Sequence, residues 1–161
     1  MEEVGVVLER RLTNEDVLEQ LLRAGLKVQK SQVERSELVV SQPTRDELDV
    51  RVAVFTTSSD TESLEQVVGS KEIVNLIPVR TVVSISFSEI GPGLDEVVDA
   101  VVAAVSPSER GFVECSGAYW AVKDALDSRS RFGVSIWRRQ LDKVGHEALQ
   151  RALSMLKGSK L

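Results

Sequence analysis

Leu94, Val97, Val98, Val101, Val102 and Val105 fall at helical spacing, and all but the first of this apolar stripe are valine. Such β-branched residues are stiff at the first side-chain torsion and lower helix propensity, so the helix stands only if tertiary packing holds it. The chain must therefore supply a broad apolar layer for it to lie on. Neighbouring segments provide one. Val4, Val6 and Leu8 recur at alternate positions, as do Val50, Val52 and Val54, while residues 72–77 and 80–87 are β-rich runs separated at Pro78. Helical and strand periods interleaved along one chain predict an α+β fold.

The opening reads as a strand over 3–9, a helix over about 14–24 and two short strands over 26–33 and 36–41, the βαββ start of a ferredoxin-like unit. Thr13 and Asp16 have capping-box spacing, with Asp in place of the usual Glu or Gln, and Leu12 with Val17 has the spacing of a hydrophobic staple. Val17, Leu18, Leu21 and Leu22 supply this helix's apolar stripe, and Gly25 sits where a helix-ending glycine is expected. After a polar loop over 41–47 and the strand through Val54, Ser59 or Asp60 can cap a short helix that Gly69 ends.

Gly91-Pro92-Gly93 launches the valine helix and Ser106-Pro107-Ser108 breaks it. Beyond it the pattern predicts a strand at 111–115, a short helix at about 118–127 and a strand at 131–137. Alternation in that last strand puts Phe132, Val134 and Ile136 on one face and Arg131, Ser135 and Trp137 on the other. A long amphipathic helix over about 139–157 then buries Leu141, Val144, Ala148, Leu149, Ala152, Leu153 and Leu156. Residues 1–74 make an acidic N-terminal half and 75–161 a second packed α/β half with a basic end, together one compact body.

Charge divides along the same line. Residues 1–105 hold 10 Lys and Arg against 19 Asp and Glu, whereas 106–161 hold 10 against 6. The basic end is densest between Arg129 and Arg139, where Arg129, Arg131, Arg138 and Arg139 flank Phe132 and Trp137. Arg139, Lys143, His146 and Gln150 continue it at helical steps along one face. Cations pair with phosphates and an indole can carry an unstacked base, so this composition suits single-stranded or terminal RNA.

Other chemistries find little footing. The single Cys115 forms neither an intramolecular disulfide nor a thiolate metal cage, and it reads as a buried small hydrophobe. His146, the one histidine, has Asp142 a turn before it and Glu147 beside it, but no nucleophile can be placed near it and it reads as solvated. Asp95, Glu96 and Asp99 complement the dipole at the start of the valine helix rather than gather a metal ion. Walker and dinucleotide-binding spacings are absent, so no cofactor is expected. No apolar run approaches the length of a membrane span and Met1-Glu2-Glu3 opens on acid rather than as a signal peptide, so a cytoplasmic protein without membrane contact is expected.

Two stretches resemble a known family. Asn75-Leu76-Ile77-Pro78-Val79-Arg80-Thr81-Val82-Val83, with Phe87-Ser88-Glu89-Ile90 and the valine helix after it, is similar to archaeal THUMP-domain proteins of the tRNA-acetylation adaptor type. The second stretch runs from Arg131 to Arg139 and resembles the THUMP strand that ends in basic residues and leads into a helix. In that family a ferredoxin-like unit precedes the THUMP module, and the two grip the tRNA acceptor end for a modifying enzyme. The resemblance implies that Arg131, Arg138, Arg139 and Lys143 contact RNA. The segment 111–130 departs from it as an insertion, and the further strands of the family are missing after residue 157.

The expectation is thus an RNA-binding protein, a tRNA- or rRNA-binding adaptor without catalytic activity of its own, with Arg129, Arg131, Trp137, Arg138, Arg139 and Lys143 as contacts. Trp137 is expected half-buried at a rim. The alternative is an assembly or regulatory subunit whose opposed charge blocks meet in a homodimer or on a protein partner.

Overall fold

The computed structural model describes residues 2–30, 37–42, 45–59, 61–87, 92–105, 109–132, 136–139, 143 and 154–156. Its elements in chain order are β1 (Glu2–Leu8), α1 (Asn14–Arg23), β2 (Lys27–Lys30), β3 (Glu37–Gln42), β4 (Arg45–Thr56), α2 (Lys71–Leu76), β5 (Thr81–Phe87), α3 (Pro92–Ala103), β6 (Gly111–Cys115), β7 (Ala118–Ala121) and α4 (Val122–Phe132). A short 3-10 turn at Glu65–Val67 lies between β4 and α2. The strands form one antiparallel sheet in the order β2-β3-β4-β5-β1-β6-β7. The fold is accordingly mixed α and β.

Alternation sorts each strand into two faces. Val4, Val6 and Leu8 share one face with Val50, Val52, Val54, Val83, Ile85, Phe87, Val113 and Cys115, all buried in the main core. The helices α1 and α3 pack against each other over that core. Leu94, Val97, Val98, Val101, Val102 and Val105 are all buried there, so the β-branched stripe gets the packing it requires.

Helix α1 begins as its sequence requires. Thr13 Oγ1 accepts from the Asp16 backbone N–H at 3.3 Å, and the Asp16 carboxylate accepts from the Thr13 N–H at 3.0 Å, a complete capping box. Val17 and Leu21 are buried, whereas Leu22 turns outward and is exposed, narrowing the expected stripe. The link from β1 to α1 is pinned by Thr81, which is fully buried. Its hydroxyl accepts from the Leu12 N–H and donates to the Arg10 carbonyl, each at 2.8 Å.

Four expectations are corrected. Residues 72–76 belong to a helix that Ile77 caps, because Ser70 Oγ accepts from the Ile73 N–H and Ile73 with Ile77 inserts four residues apart into a second cluster under the sheet. Residues 118–127 are divided between β7 and α4. Ser116 and Gly117 both have positive φ, at 51° and 79°, so the chain reverses as a two-residue hairpin from β6 into β7. The strand expected at 131–137 is not found among the described residues, with 133–135 lying outside them: α4 runs through Phe132 and residues 136–139 are helical, because a short apolar alternation fits a helix as readily as a strand. The short helix expected to end at Val68 is reduced to the 3-10 turn.

The strands of the βαββ opening also pair otherwise than a consecutive unit would. Strand β1 is flanked by β5 and β6, while β2 and β3 extend the sheet beyond β4. The stretches 1–74 and 75–161 therefore share one sheet, with a strand of the first lying between two of the second. Of the helix expected over about 139–157, residues 139, 143 and 154–156 are described and are helical. Leu156 is exposed rather than buried, and Leu141, Val144, His146, Ala148, Leu149, Ala152 and Leu153 lie outside the described residues.

Candidate functional site

The six residues of the expected basic surface part company. Trp137 is only 1% exposed and belongs to the main core, not to a rim, because the helical backbone at 136–139 turns the indole inward where a strand would have turned it out. An indole enclosed in this way offers no face to a base. Arg138 Nη1 donates to Asp95 Oδ2 at 2.6 Å, with both side chains largely buried, so that cation ties its helical turn to α3. Asp95 thereby has a role that dipole complementarity alone did not suggest. Arg131, Arg139 and Lys143 are exposed, the last two one helical step apart. Arg129 lies in α4 with its side chain outside the described residues. Cys115 is buried in β6 as a core residue.

A concavity lies elsewhere, on the face of the sheet opposite α1 and α3. Its floor follows from register: Ala53, Ser84, Gly5, Glu114 and Tyr119 stand side by side across β4, β5, β1, β6 and β7. The next row on that face is Arg51, Ser86 and Glu3, and the row on the other side is Phe55, Val82, Val7 and Phe112. Ile73, Ile77 and Val79 cover the Val7 and Val82 end and leave the rest open. The result is a cavity of about 1020 Å³, walled on one side by residues 67–72.

Small residues make the floor low. Gly5 is central to it and has no positive φ, and a β-carbon there would meet nothing closer than Glu114 Oε2 at 3.5 Å, an ordinary contact. Gly111 is the contrast: its β-carbon would lie 2.7 Å from Leu8 Cδ2 and 3.0 Å from the Val7 carbonyl, so packing forbids a side chain. Neither packing nor backbone geometry demands glycine at position 5. A mid-strand glycine weakens a strand and commonly marks the close approach of another group.

Two carboxylates lean over this low ground. Glu3 Oε1 accepts from the Ser84 and Ser86 hydroxyls at 3.1 and 3.3 Å, and Glu114 Oε1 accepts from the Gly117 N–H at 3.0 Å. Burial, and then the negative charge of Glu114, raise the Tyr119 phenol above its usual range. Among the described residues no group of three or more His, Cys, Asp or Glu is arranged to hold a metal ion, and no helix is long and apolar enough to cross a membrane.

Charge and aromatic composition led to the basic end and away from this face. The signals for it were the small outward positions Gly5, Ala53, Ser84 and Ser86, but they belong to three strands whose adjacency only the sheet order reveals. Comparisons with protein-family models, with curated proteins and with solved structures find no match to this chain.

Proposed function

We propose that this chain is a binding module whose ligand surface is the open face of its sheet, and that it binds rather than transforms what it holds. The observation that carries this reading is Gly5, a residue the fold does not require, at the centre of the floor of a 1020 Å³ cavity. Such a volume, lined by charged and polar groups together with apolar ones, is of the size that ligand sites offer. We read β1, α1, β4, β5, α3 and β6 as a ferredoxin-like unit, extended by β2 and β3 at one edge and by β7 at the other. The sheet order β4-β5-β1-β6 with α1 and α3 on one face supports this.

RNA-binding sheets of that kind stack bases on aromatics of their central strands. Here β1 and β5 present Glu3, Gly5, Ser84 and Ser86 instead, and carboxylates repel phosphates. Ligands other than nucleic acid suit the face better. Gly5→Ala tests the reading. It should raise unfolding free energy by about 0.5–1 kcal/mol in denaturant titration, since the side chain fits and glycine's entropy cost is removed. A loss of stability would show that the fold itself needs glycine there, and the argument for a ligand would go.

RNA contact as a tRNA- or rRNA-binding adaptor is a second reading. It rests on the THUMP resemblance and on the exposure of Arg131, Arg139 and Lys143. Phosphate contact predicts RNA affinity that falls steeply with salt and weakens when these three are replaced by alanine. Affinity for structured RNA that ignores both would dismiss it.

A further inference from the structure

We infer that the occupant of the open sheet face is an amphipathic polypeptide segment of a partner, with a basic side chain between Glu3 and Glu114 and apolar side chains against Phe55, Val67 and Val68. The inference rests on the sheet face being the site, and adds what fills it.

Size comes first. A helix is about 10 Å across and rises about 1.5 Å per residue, so 1020 Å³ holds about eight or nine residues of one. That lies at the upper end of what small-molecule sites offer and matches a short segment laid across the strands. The floor suits main chain or small side chains at close range, because Gly5, Ala53 and Ser84 stand in one row across β1, β4 and β5.

Charge and apolarity then divide the cavity across its width. On the β1 and β6 side the carboxylates of Glu3 and Glu114 flank Gly5. Glu3 is held by the Ser84 and Ser86 hydroxyls and Glu114 by the Gly117 N–H, so both are oriented before anything binds. On the other side, which Arg51 of β4 and Lys71 and Glu72 of the wall also line, Phe55 and Val67 are 45% and 48% exposed, large apolar groups left to solvent. An ammonium or guanidinium group answers the first side and an aliphatic or aromatic stripe answers the second. An amphipathic helix that docks in a groove carries both at three- and four-residue spacing.

The test is selection of displayed random peptides of about twelve residues, long enough for about three helical turns, on the full chain and on two variants. Ala53→Trp and Ser86→Trp each fill the floor from a different strand, and melting curves establish which of them are folded. The expected result is a set of peptides sharing Lys or Arg with apolar residues three and four positions away. Their binding should be lost in whichever filled variant is folded and weakened about tenfold or more by Glu3→Gln with Glu114→Gln, as for removal of a close charge pair.

Peptides rich in acid, or no enriched peptides at all, overturn the inference. If acidic peptides are nevertheless lost in the filled variants, the sheet face remains the site with a different occupant. Basic apolar peptides that bind a folded filled variant undiminished overturn both the inference and the site. Enrichment of a sequence from the chain's own basic end, with a concentration-dependent dimer that the same filled variants abolish, would replace the partner by a second copy and so also overturn the inference.

Discussion

Trp137 marks the point at which residue-scale reasoning from sequence and the folded chain diverge. Alternation with Phe132, Val134 and Ile136 put it on a polar face, whereas the helical turn at 136–139 buries it to 1% exposure. Its replacement by alanine should therefore cost about 3–5 kcal/mol, the range for deleting a large buried ring. Chemical denaturation measures this directly, and a change well under 1 kcal/mol would place the indole outside the core. Gly5 is the reverse case. Its outward position was legible in the Val4-Gly5-Val6 alternation, but its meaning required the register that sets it between Ser84 and Glu114. Arg138 was legible as a cation and not as the partner of Asp95, 43 positions away, because sequence spacing carries no information about such a pair.

At the scale of elements, what sequence revealed depended on length and on punctuation. Helix α1 was legible from its capping box and from Gly25, and α3 from a stripe of six apolar positions. Helix α2 spans six residues, too few to display a period, and its β-rich composition reads as a strand. The start of α1 also makes a pH prediction. Hydrogen bonds from the Thr13 backbone and hydroxyl, with a smaller contribution from Arg10, lower the Asp16 carboxyl pKa in the folded state. A folded pKa below the unfolded one gives stability that is present above the unfolded value, near 3.9 for Asp, and that is lost as pH falls through the folded one. Thermal unfolding followed from neutral to acid pH should show this loss beginning near that value, and Asp16→Asn should shrink it while lowering stability at neutral pH. Solvent exposure of the carboxylate keeps the effect small. An Asp16→Asn protein with an unchanged acid limb and unchanged neutral stability would remove the box as a contributor.

At the scale of the whole molecule, the α+β class was readable from interleaved periods, while the sheet order was not. Pairing of β1 with β5 and β6 spans sequence separations of about 80 and 110 residues, and local patterns are silent on which strands meet across them. That order is what assembles Glu3, Gly5, Ala53, Ser84 and Glu114 into one surface and sets it on the face away from α1 and α3. Among the described residues of the basic end none lines that surface, and two of them, Trp137 and Arg138, are committed to packing. Function at the sheet face and function at the basic end are therefore distinguishable by where a ligand acts. The most direct measurement is a map of amide chemical shifts on the isotope-labelled chain, titrated with a selected peptide and separately with a structured RNA. The account predicts that the peptide moves amides of β1, β5 and β6 around Gly5, Ser84 and Glu114 and leaves those of Arg131, Arg139 and Lys143 in place. Shifts confined to Arg131, Arg139 and Lys143 with either ligand, and a silent sheet face, would contradict it.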